Sequence, residues 1–528
     1  MCVDHLCSSG RRAGVHAKRL PSMRTLIRAA ALPTLSGVLY FLSWIGFGVW
    51  PLAFVCFLPL VWALRQASLP RALALGAWMG FVTHLGGYTW IVHLLQVFAF
   101  LPLPLAVLGF LLLCAGQGLL FGLFALVFRF AWLRTAWPIA LLLPAALCAA
   151  ELTYPLLFQS YTGVALMPLR PIVQIADLGG PLLLTAVQAA INGAAADVLL
   201  WRTGTVSRAP MRPLLAVSLL VCLCVGYGAW RLNQVASREQ SAPHLRVGLS
   251  QPNIGEIELH QNPQASVETV RQQTYQLTRQ GAELVIWPEV AFNTRSVRLD
   301  DPEIGRVIQA GIRVAIIAGV IRVDGSRTWN SAVMVSRDGV LGDYFDKINL
   351  LAFGEYIPFG EWFPIVYRWS PMSSHLTKGE TTAPLRNGRW KFATFICYED
   401  ILPALVRKTM EDHGNGRANA MVNLTNDSWY GAGHEQEQHL QLAALRSAEH
   451  HRWLLRATST GISAFVDATG RVVQRIPRDK RGTALADVPM MEGTTAYEVL
   501  GDWPGWVSCA LLVGIALRFG RRGVSPLR

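Results

Sequence analysis

A window of about 19 residues moved along the chain meets a series of apolar runs long enough to cross a bilayer, and then a long stretch without one. The runs lie near 27–46, 49–65, 72–95, 104–130, 136–152, 178–201, 212–230 and 503–519. Between 244 and 490 charged residues recur regularly and no apolar run is long enough to span. The pattern predicts a polar, basic segment over 1–26 and a transmembrane unit of about seven helices over 27–235. A globular domain over 244–490, a last span at 503–519 and a tail over 520–528 complete the chain.

Inside the globular stretch the period changes. Strand signals fall at 244–249, 283–286, 314–320, 330–335, 390–396, 420–424, 461–466 and 471–476, and helix signals at 267–280 and 436–451. Strands interleaved with helices indicate α/β layers, sheets covered by helices. A stretch of about 250 residues buries a full core of its own.

Composition sharpens the membrane reading. Hydrophobic residues make up 52% of the 528 and charged residues 15%, where a soluble chain carries about a quarter charged. The net charge of +13 raises nucleic acid as a partner, but the basic residues sit in clusters between apolar runs. Arg65 with Arg71, Arg129 with Arg134, and Arg202 with Arg208 and Arg212 mark alternate junctions, and Arg518, Arg521, Arg522 and Arg528 mark the tail. The intervening junctions near 46–50 and 97–104 have none, and the one after Glu151 has only Arg170. Cytoplasmic loops carry this bias. Both termini are therefore expected in the cytoplasm and the globular domain on the opposite side of the membrane, with no nucleic-acid partner. Residues 1–21 lack the apolar core of a signal peptide and stand outside the fold reasoning, with Met23 as a second possible start.

Of the nine cysteines, Cys56, Cys114, Cys148, Cys222, Cys224 and Cys509 fall in apolar runs, where a thiol is a small hydrophobe. Cys397 stands alone in the polar domain, so its reactivity becomes the question. His84 and His93 read as packing or interfacial residues. Glu151, at the outer end of a span, reads equally as a functional intramembrane carboxylate or a solvated one. No metal-ligand spacing occurs, and neither metal nor cofactor is expected.

Three segments place a polar group at the end of an apolar strand: Leu284-Val285-Ile286-Trp287-Pro288-Glu289, Asp346-Lys347 followed by Phe353-Gly354-Glu355-Tyr356-Ile357-Pro358, and Phe395-Ile396-Cys397-Tyr398-Glu399-Asp400. Taken singly, each is read more simply as a surface Glu, a solvated Lys or a buried structural Cys. Together they form a self-sufficient set. A thiol of ordinary pKa needs a base or a positive neighbour, a carboxylate can take and return its proton, and an ammonium can hold an oxyanion. Glu, Lys and Cys thus make an acyl-transfer site that needs no His.

The order of these motifs resembles the carbon–nitrogen hydrolase (nitrilase) superfamily. So do the run Asn423-Leu424-Thr425-Asn426-Asp427-Ser428-Trp429-Tyr430-Gly431, the pair Gln438-His439, and Arg456-Ala457-Thr458-Ser459-Thr460-Gly461-Ile462-Ser463. With seven apolar runs before the domain and one after, the chain looks like that superfamily's membrane branch, the apolipoprotein N-acyltransferase family. The resemblance implies a nitrilase-like α-β-β-α sandwich inserted before the last transmembrane helix. It implies Glu289 as general base, Lys347 as stabiliser of the tetrahedral intermediate and Cys397 as nucleophile. Glu355 would orient the three, Tyr398 and Glu399 would support the nucleophile loop, and Asn330 and Trp429 would shape the substrate pocket. The implied reaction moves an acyl chain from a membrane phospholipid, through a Cys thioester, to the N-terminal amine of a diacylglyceryl lipoprotein. Two departures touch substrate entry: Leu259-His260 where the family often carries a Trp, and Phe158-Gln159-Ser160-Tyr161-Thr162-Gly163 in place of a Gly-Phe-Pro-Trp-like stretch. The alternative is a membrane-tethered amidase or nitrilase passing the acyl group to water, whose catalytic residues would be the same. A transporter with an accessory domain fits less well, because intramembrane charges are few.

Overall fold

The computed structural model describes residues 23–97, 99–351, 355–356, 375–412, 414, 416–431 and 433–519. Expectations for 1–22 and 520–528 lie outside these residues, as do most of the segment around Glu355 and Tyr356 and the side chain of His260.

Among the described residues, three helices are long and apolar enough to cross a membrane: Leu103–Arg134, Ala176–Arg202 and Met211–Ser241. Shorter apolar helices are Ala30–Ser43, Trp50–Leu64, Ile139–Thr153 and Trp503–Phe519. The run read at 49–65 is a 3-10 turn, Trp50–Phe54, followed by a two-turn helix, Leu58–Leu64, because Pro51 and Pro59 each start a new first turn. The run at 72–95 divides into Leu69–Gly87 and Trp90–Val97 behind the paired glycines Gly86 and Gly87. Helices Leu69–Gly87 and Leu103–Arg134 pack backbone to backbone through Gly76, Gly80, Gly118 and Gly122, a small-residue seam of the kind that joins helices in lipid. A Cβ on Gly80 would lie 2.5 Å from the Gly118 carbonyl oxygen.

The α/β part holds two sheets. Strands β1 (His244–Gln251), β2 (Leu284–Ile286), β3 (Phe292–Val297), β4 (Ala315–Asp324), β5 (Arg327–Val335) and β6 (Leu341–Asp346) belong to the first. Strands β7 (Leu385–Asn387), β8 (Trp390–Ile396), β9 (Ala420–Thr425), β10 (Leu454–Thr458), β11 (Ser463–Val466) and β12 (Val472–Ile476) make the second. The chain then returns as β13 (Gly482–Pro489) to close the first in the order β13-β1-β2-β4-β5-β6, with β3 beside β4; the second runs β12-β11-β10-β9-β8-β7. β3, β6, β7, β10 and β13 escaped the sequence reading. β3 and β6 alternate buried with exposed positions too irregularly to register, and β7 has three residues.

Alternation along the strands builds three layers of core. Ile317 of β4, Met334 of β5, Phe392 of β8 and Leu455 of β10 meet between the sheets. Ile316 and Val320, on the opposite face of β4, pack against Val267, Val270 and Leu277 of helix Pro263–Arg279. Phe395 and Met421, on the outer face of the second sheet, pack against Leu440 and Ala444 of helix Glu435–His450. The same cluster continues into Leu184 and Val187 of helix Ala176–Arg202, so that helix Glu435–His450 is shared by the sheet domain and the helical base.

Polar bonds lock that seam. The buried carboxylate of Asp177 accepts from Tyr227 OH (2.9 Å to each oxygen) and from Arg231 Nε (2.6 Å), and lies 2.9 Å from His451 Nε2. His451 Nδ1 bonds the Ala468 carbonyl at 3.1 Å, and Gln174 Nε2 donates to the Thr469 carbonyl at 3.1 Å. Helix Met211–Ser241 runs well past the apolar run at 212–230 to make these contacts, ending with Glu239, which accepts from Trp453 Nε1 at 2.7 Å.

Candidate active site

Glu289 follows β2. Trp287 N still bonds the Ile317 carbonyl at 2.9 Å, and Pro288 then ends the ladder. Gly319 of β4 passes directly beneath: a Cβ there would lie 2.2 Å from the Pro288 carbonyl oxygen. Lys347 leaves the end of β6, its N–H on the Asn330 carbonyl at 2.9 Å. Asp346 beside it is clamped by Arg322 Nε (3.0 Å) and Nη2 (2.6 Å), which fixes the direction in which the lysine leaves the sheet. Cys397 follows β8 directly and opens a 3-10 turn, Cys397–Ile401.

The three segments converge. Lys347 Nζ donates to Glu289 Oε1 at 3.2 Å and to Glu355 Oε1 at 2.7 Å. Asn330 Nδ2 donates to the same two oxygens, at 2.7 and 3.1 Å. Glu289 Oε2 accepts the backbone N–H of Asn426 at 2.9 Å, and Glu355 Oε2 that of Leu351 at 2.8 Å. Asn330 is therefore placed under both carboxylates. Glu289, Asn330, Lys347 and Cys397 are all buried.

The nucleophile turn is strained. Cys397 has φ +57°, a conformation that costs a non-glycine residue about 1–3 kcal/mol. Four hydrogen bonds from two side chains hold it. Asn423 Nδ2 donates to the Cys397 carbonyl at 2.8 Å. Glu399 Oε2 accepts the Ile396 N–H at 2.9 Å, and Glu399 Oε1 accepts the N–H groups of Ile348 and Asn349 at 2.7 and 2.8 Å. Glu399 thus ties the cysteine turn to the lysine loop. Tyr398 OH donates to the Leu350 carbonyl in that same loop at 3.3 Å. Trp429 lies in the 3-10 turn Asp427–Tyr430 and packs with Tyr88, Trp90 and Tyr430.

Electrostatics distinguish the groups. Burial, then the charge of Glu289, pushes the Cys397 thiol up to about 12, while Lys347 and His439 pull it down. Burial raises Glu289 above the ordinary carboxylate value; Lys347 opposes this and Glu355 adds to it. Burial works against charge on Lys347, but Glu289, Glu355 and Cys397 outweigh it and hold the ammonium well above its usual range. The arrangement is a neutral thiol beside a carboxylate of raised basicity and a firmly charged ammonium. It can accept a thiol proton and hold a developing oxyanion.

Behind the turn lies a second cluster to which the sequence reading gave no role. Arg456 Nη1 donates to Asp400 Oδ2 (3.0 Å) and to Asn423 Oδ1 (2.8 Å), and Nη2 donates to Asp427 Oδ2 (2.7 Å). His439 Nε2 lies 2.9 Å from Asp400 Oδ1 and its Nδ1 3.3 Å from Asp427 Oδ1. Asp427, Glu435 and His439 carry ligand atoms close enough together for a metal, but the Arg456 guanidinium already bonds Asp427 there. The available signal was Asn423, an amide in an otherwise apolar strand end. Glu151 is buried, its Oε1 taking the Thr162 N–H at 2.8 Å and its Oε2 the Thr185 hydroxyl at 2.7 Å, so neither solvent nor a free charge describes it.

Comparison with known proteins covers both parts of the chain. The carbon-nitrogen hydrolase family model matches residues 246–497, and the apolipoprotein N-acyltransferase N-terminal domain matches residues 36–194. An apolipoprotein N-acyltransferase of Rhizobium meliloti is 31% identical over 524 residues, covering 91% of this chain and 94% of that one. One from Azotobacter vinelandii is 30% identical over 508 residues, covering 91% and 93%. Among solved structures, an amidase of the nitrilase superfamily from Nesterenkonia AN1 aligns with TM-score 0.37 at 19% identity, over 47% of this chain and 92% of that one. A membrane-type helical base and a carbon–nitrogen hydrolase domain, matched together over nine-tenths of the relatives' length, place the chain in the apolipoprotein N-acyltransferase family.

Proposed function

We propose that the chain is a ping-pong N-acyltransferase of lipoprotein maturation, with Cys397 as nucleophile, Glu289 as general base and Lys347 as stabiliser of the tetrahedral intermediate. The observation that carries the reading is the Lys347 ammonium shared between Glu289 and Glu355 beside a thiol held at a strained strand-to-helix turn. Glu289 takes the Cys397 proton as sulfur attacks the ester carbonyl of a membrane phospholipid. The intermediate collapses to a thioester, and the departing lysophospholipid alkoxide recovers that proton. The N-terminal amine of a diacylglyceryl-cysteine lipoprotein then attacks the thioester, gives a proton to Glu289 and leaves as the amide, and the thiol is restored. Glu355 and Asn330 keep Glu289 and Lys347 in register. Tyr398 and Glu399 hold the turn.

The base supports transfer to a lipid acceptor over transfer to water, since both substrates lie in the bilayer. In this reading the apolar helices make eight spans, both termini are cytoplasmic, and the α/β domain is periplasmic. A reporter joined after Ser241 is expected to behave as external and one joined after Arg528 as cytoplasmic; the opposite labelling would end this orientation. The chemistry is tested by mass spectrometry of the full chain incubated with phospholipid vesicles and no acceptor. An acyl adduct on Cys397 that discharges to an amide when a diacylglyceryl peptide is added is the expected result. Acyl found on another residue, or discharge only to free fatty acid, would overturn it.

A further inference from the structure

Helix Glu435–His450 begins at the seam between the sheet domain and the helical base, and its first residue lines a cavity of about 390 Å³. Tyr398 and Ile401, from the turn that carries Cys397, line it too. The helical base contributes the rings of Tyr88, Trp90 and Phe158, and Tyr430 adds a fourth. Cys397 itself stays out of the lining, so the cavity adjoins the thiol and does not contain it.

Most polar groups here are answered. Gln438 Nε2 donates to the Gly87 carbonyl at 3.2 Å and its Oε1 accepts from Trp90 Nε1 at 3.3 Å, and Gln159 Nε2 donates to Tyr161 OH at 2.8 Å. Glu435 is the exception. It is 6% exposed, and its Oε1 lies 3.5 Å from His439 Nδ1. Among the described residues, its Oε2 has no hydrogen-bond partner. Asp400, Asp427 and Glu435 face two cations, Arg456 and His439, whose shorter contacts go to the two aspartates. One negative charge is in surplus, and it falls on the carboxylate that borders the cavity. Burial, then the charge of Asp427, pushes Glu435 up to about 7, against the pull of His439 and Arg456. A carboxylate so placed calls for a positive partner.

The surroundings select which one. A water molecule brings hydrogen bonds but no charge. A metal ion would need Asp427 and His439, but Arg456 Nη2 lies 2.7 Å from Asp427 Oδ2 and 3.1 Å from His439 Nδ1. A primary ammonium needs neither group: it can donate to Glu435 Oε2 and rest against the rings. The Trp90 ring stands 5.1 Å from that of Tyr430, 5.3 Å from Phe158 and 5.5 Å from Tyr88, and an aromatic face attracts a cation within about 6 Å. The acyltransferase reaction brings an ammonium at every turnover, because an N-terminal amine with a pKa of about 7.7–8.0 is largely charged at neutral pH. The donor needs only its ester, and its head group brings an ammonium in some phospholipids and not in others.

We propose that this cavity docks the acceptor's N-terminal ammonium, with Glu435 as its anionic partner and the rings of Trp90 and Tyr430 beside it. The proposal rests on the acyltransferase reading above. The protons balance. Of the three on the ammonium, one passes to Glu435 and on to water, so that a neutral amine attacks the thioester. The second goes through Glu289 to the departing thiolate, and the third stays on the amide.

The test isolates the second half-reaction in the full-length enzyme. Acyl-Cys397 is formed with phospholipid vesicles, and its loss is followed by intact mass after a diacylglyceryl peptide with a free N-terminus is added. Glu435→Gln should slow discharge at low peptide concentration about tenfold or more, the scale of a lost hydrogen bond to a charged group. Hydroxylamine, a nucleophile that is neutral at the same pH, should discharge parent and variant alike. Equal slowing with both nucleophiles would reveal a structural role only, and an unchanged peptide rate would show that Glu435 does not hold the amine; either overturns the proposal. So does a variant that discharges normally but is acylated more slowly by ethanolamine-headed than by glycerol-headed donors, since the cavity would then serve the donor.

Should Glu435→Gln form no adduct, the parent decides alone. A diacylglyceryl peptide with an N,N-dimethylated N-terminus keeps the charge but cannot become an amide, and it should slow discharge by the free peptide. Its N-acetylated counterpart, which is neutral, should not; equal competition by the two would overturn the proposal. A parent enzyme that forms no acyl adduct would instead sink the acyltransferase reading itself.

Discussion

Two buried clusters of charge flank the strained turn at Cys397, and they are made from nearly the same parts. On one side Glu289 and Glu355 share the single ammonium of Lys347, with a neutral thiol alongside. On the other, Asp400, Asp427 and Glu435 surround Arg456 and His439. The second cluster is closed around Arg456. Burial opposes the charge of Asp427, but Arg456 and His439 hold it below the usual carboxylate range, and burial and Arg456 oppose the charge of His439 while Asp400 and Asp427 hold it above its ordinary value. Burial, then the charge of Asp427, pushes the third carboxylate, Glu435, up to about 7. The first cluster has two carboxylates for one cation, and burial pushes Glu289 toward binding a proton, which in the proposed reaction comes from the thiol. Burial of charge therefore does not mark chemistry. A carboxylate of raised basicity that shares one ammonium with a second carboxylate beside a thiol does.

The largest effect should come from Cys397→Ser, which removes the nucleophile and leaves both clusters in place. Acyl transfer should fall about 10⁴-fold or more while thermal unfolding stays at the parent midpoint; activity near parent level would break the assignment of the working side. Arg456→Met attacks the closed side. It leaves Asp400 and Asp427 uncompensated and should destabilise the fold by about 3–5 kcal/mol, seen as a lowered unfolding midpoint. A fully stable variant would mean that the second cluster is not structural.

The working side is sharpened by iodoacetamide rates against pH in two variants. Glu289→Gln removes the base, so alkylation near neutral pH should drop about 10²-fold or more. Lys347→Ala removes an oxyanion partner that alkylation does not use, yet also a charge that lowers the thiol, so slowed alkylation should survive. Parent-like rates in Glu289→Gln would show that another group is the base. The smallest effect concerns position on the pH axis. Since burial raises the Glu289 pKa, the base is lost on acidification before an ordinary carboxylate near about 4.3 would titrate. The acid limb of the acylation rate should lie above that value, and a limb at or below it would contradict the raised basicity.

Much of this was legible in the sequence because each candidate residue follows a strand: Glu289 after β2, Lys347 after β6, Cys397 after β8. The signals of β2 and β8 survive without tertiary context; β6 itself did not register, and Lys347 was picked out by the Asp346-Lys347 pair and the motif that follows it. What escaped depends on partners far away in the chain. Asn423 holds the Cys397 carbonyl across 26 positions, and Arg456 reaches Asp400 across 56. The broken helices at Pro51, Pro59 and Gly87 were lost for another reason: hydropathy measures apolar length and is blind to where the backbone turns. Glu151 looked like a span-end charge because its partners Thr162 and Thr185 come from elements not visible to a window.

The bond cluster at Asp177 has a mechanical meaning. Tyr227 and Arg231 come from the helical base and His451 from the sheet domain, and one carboxylate gathers all three. A catalytic head on a pliable stalk could dip toward its substrates. Here the thiol sits at a fixed height above the helices, as a tool clamped in a bench. In the proposed reaction the lipids would do the travelling, rising out of the leaflet to the sulfur, and their supply would become a matter of how easily each one leaves its neighbours.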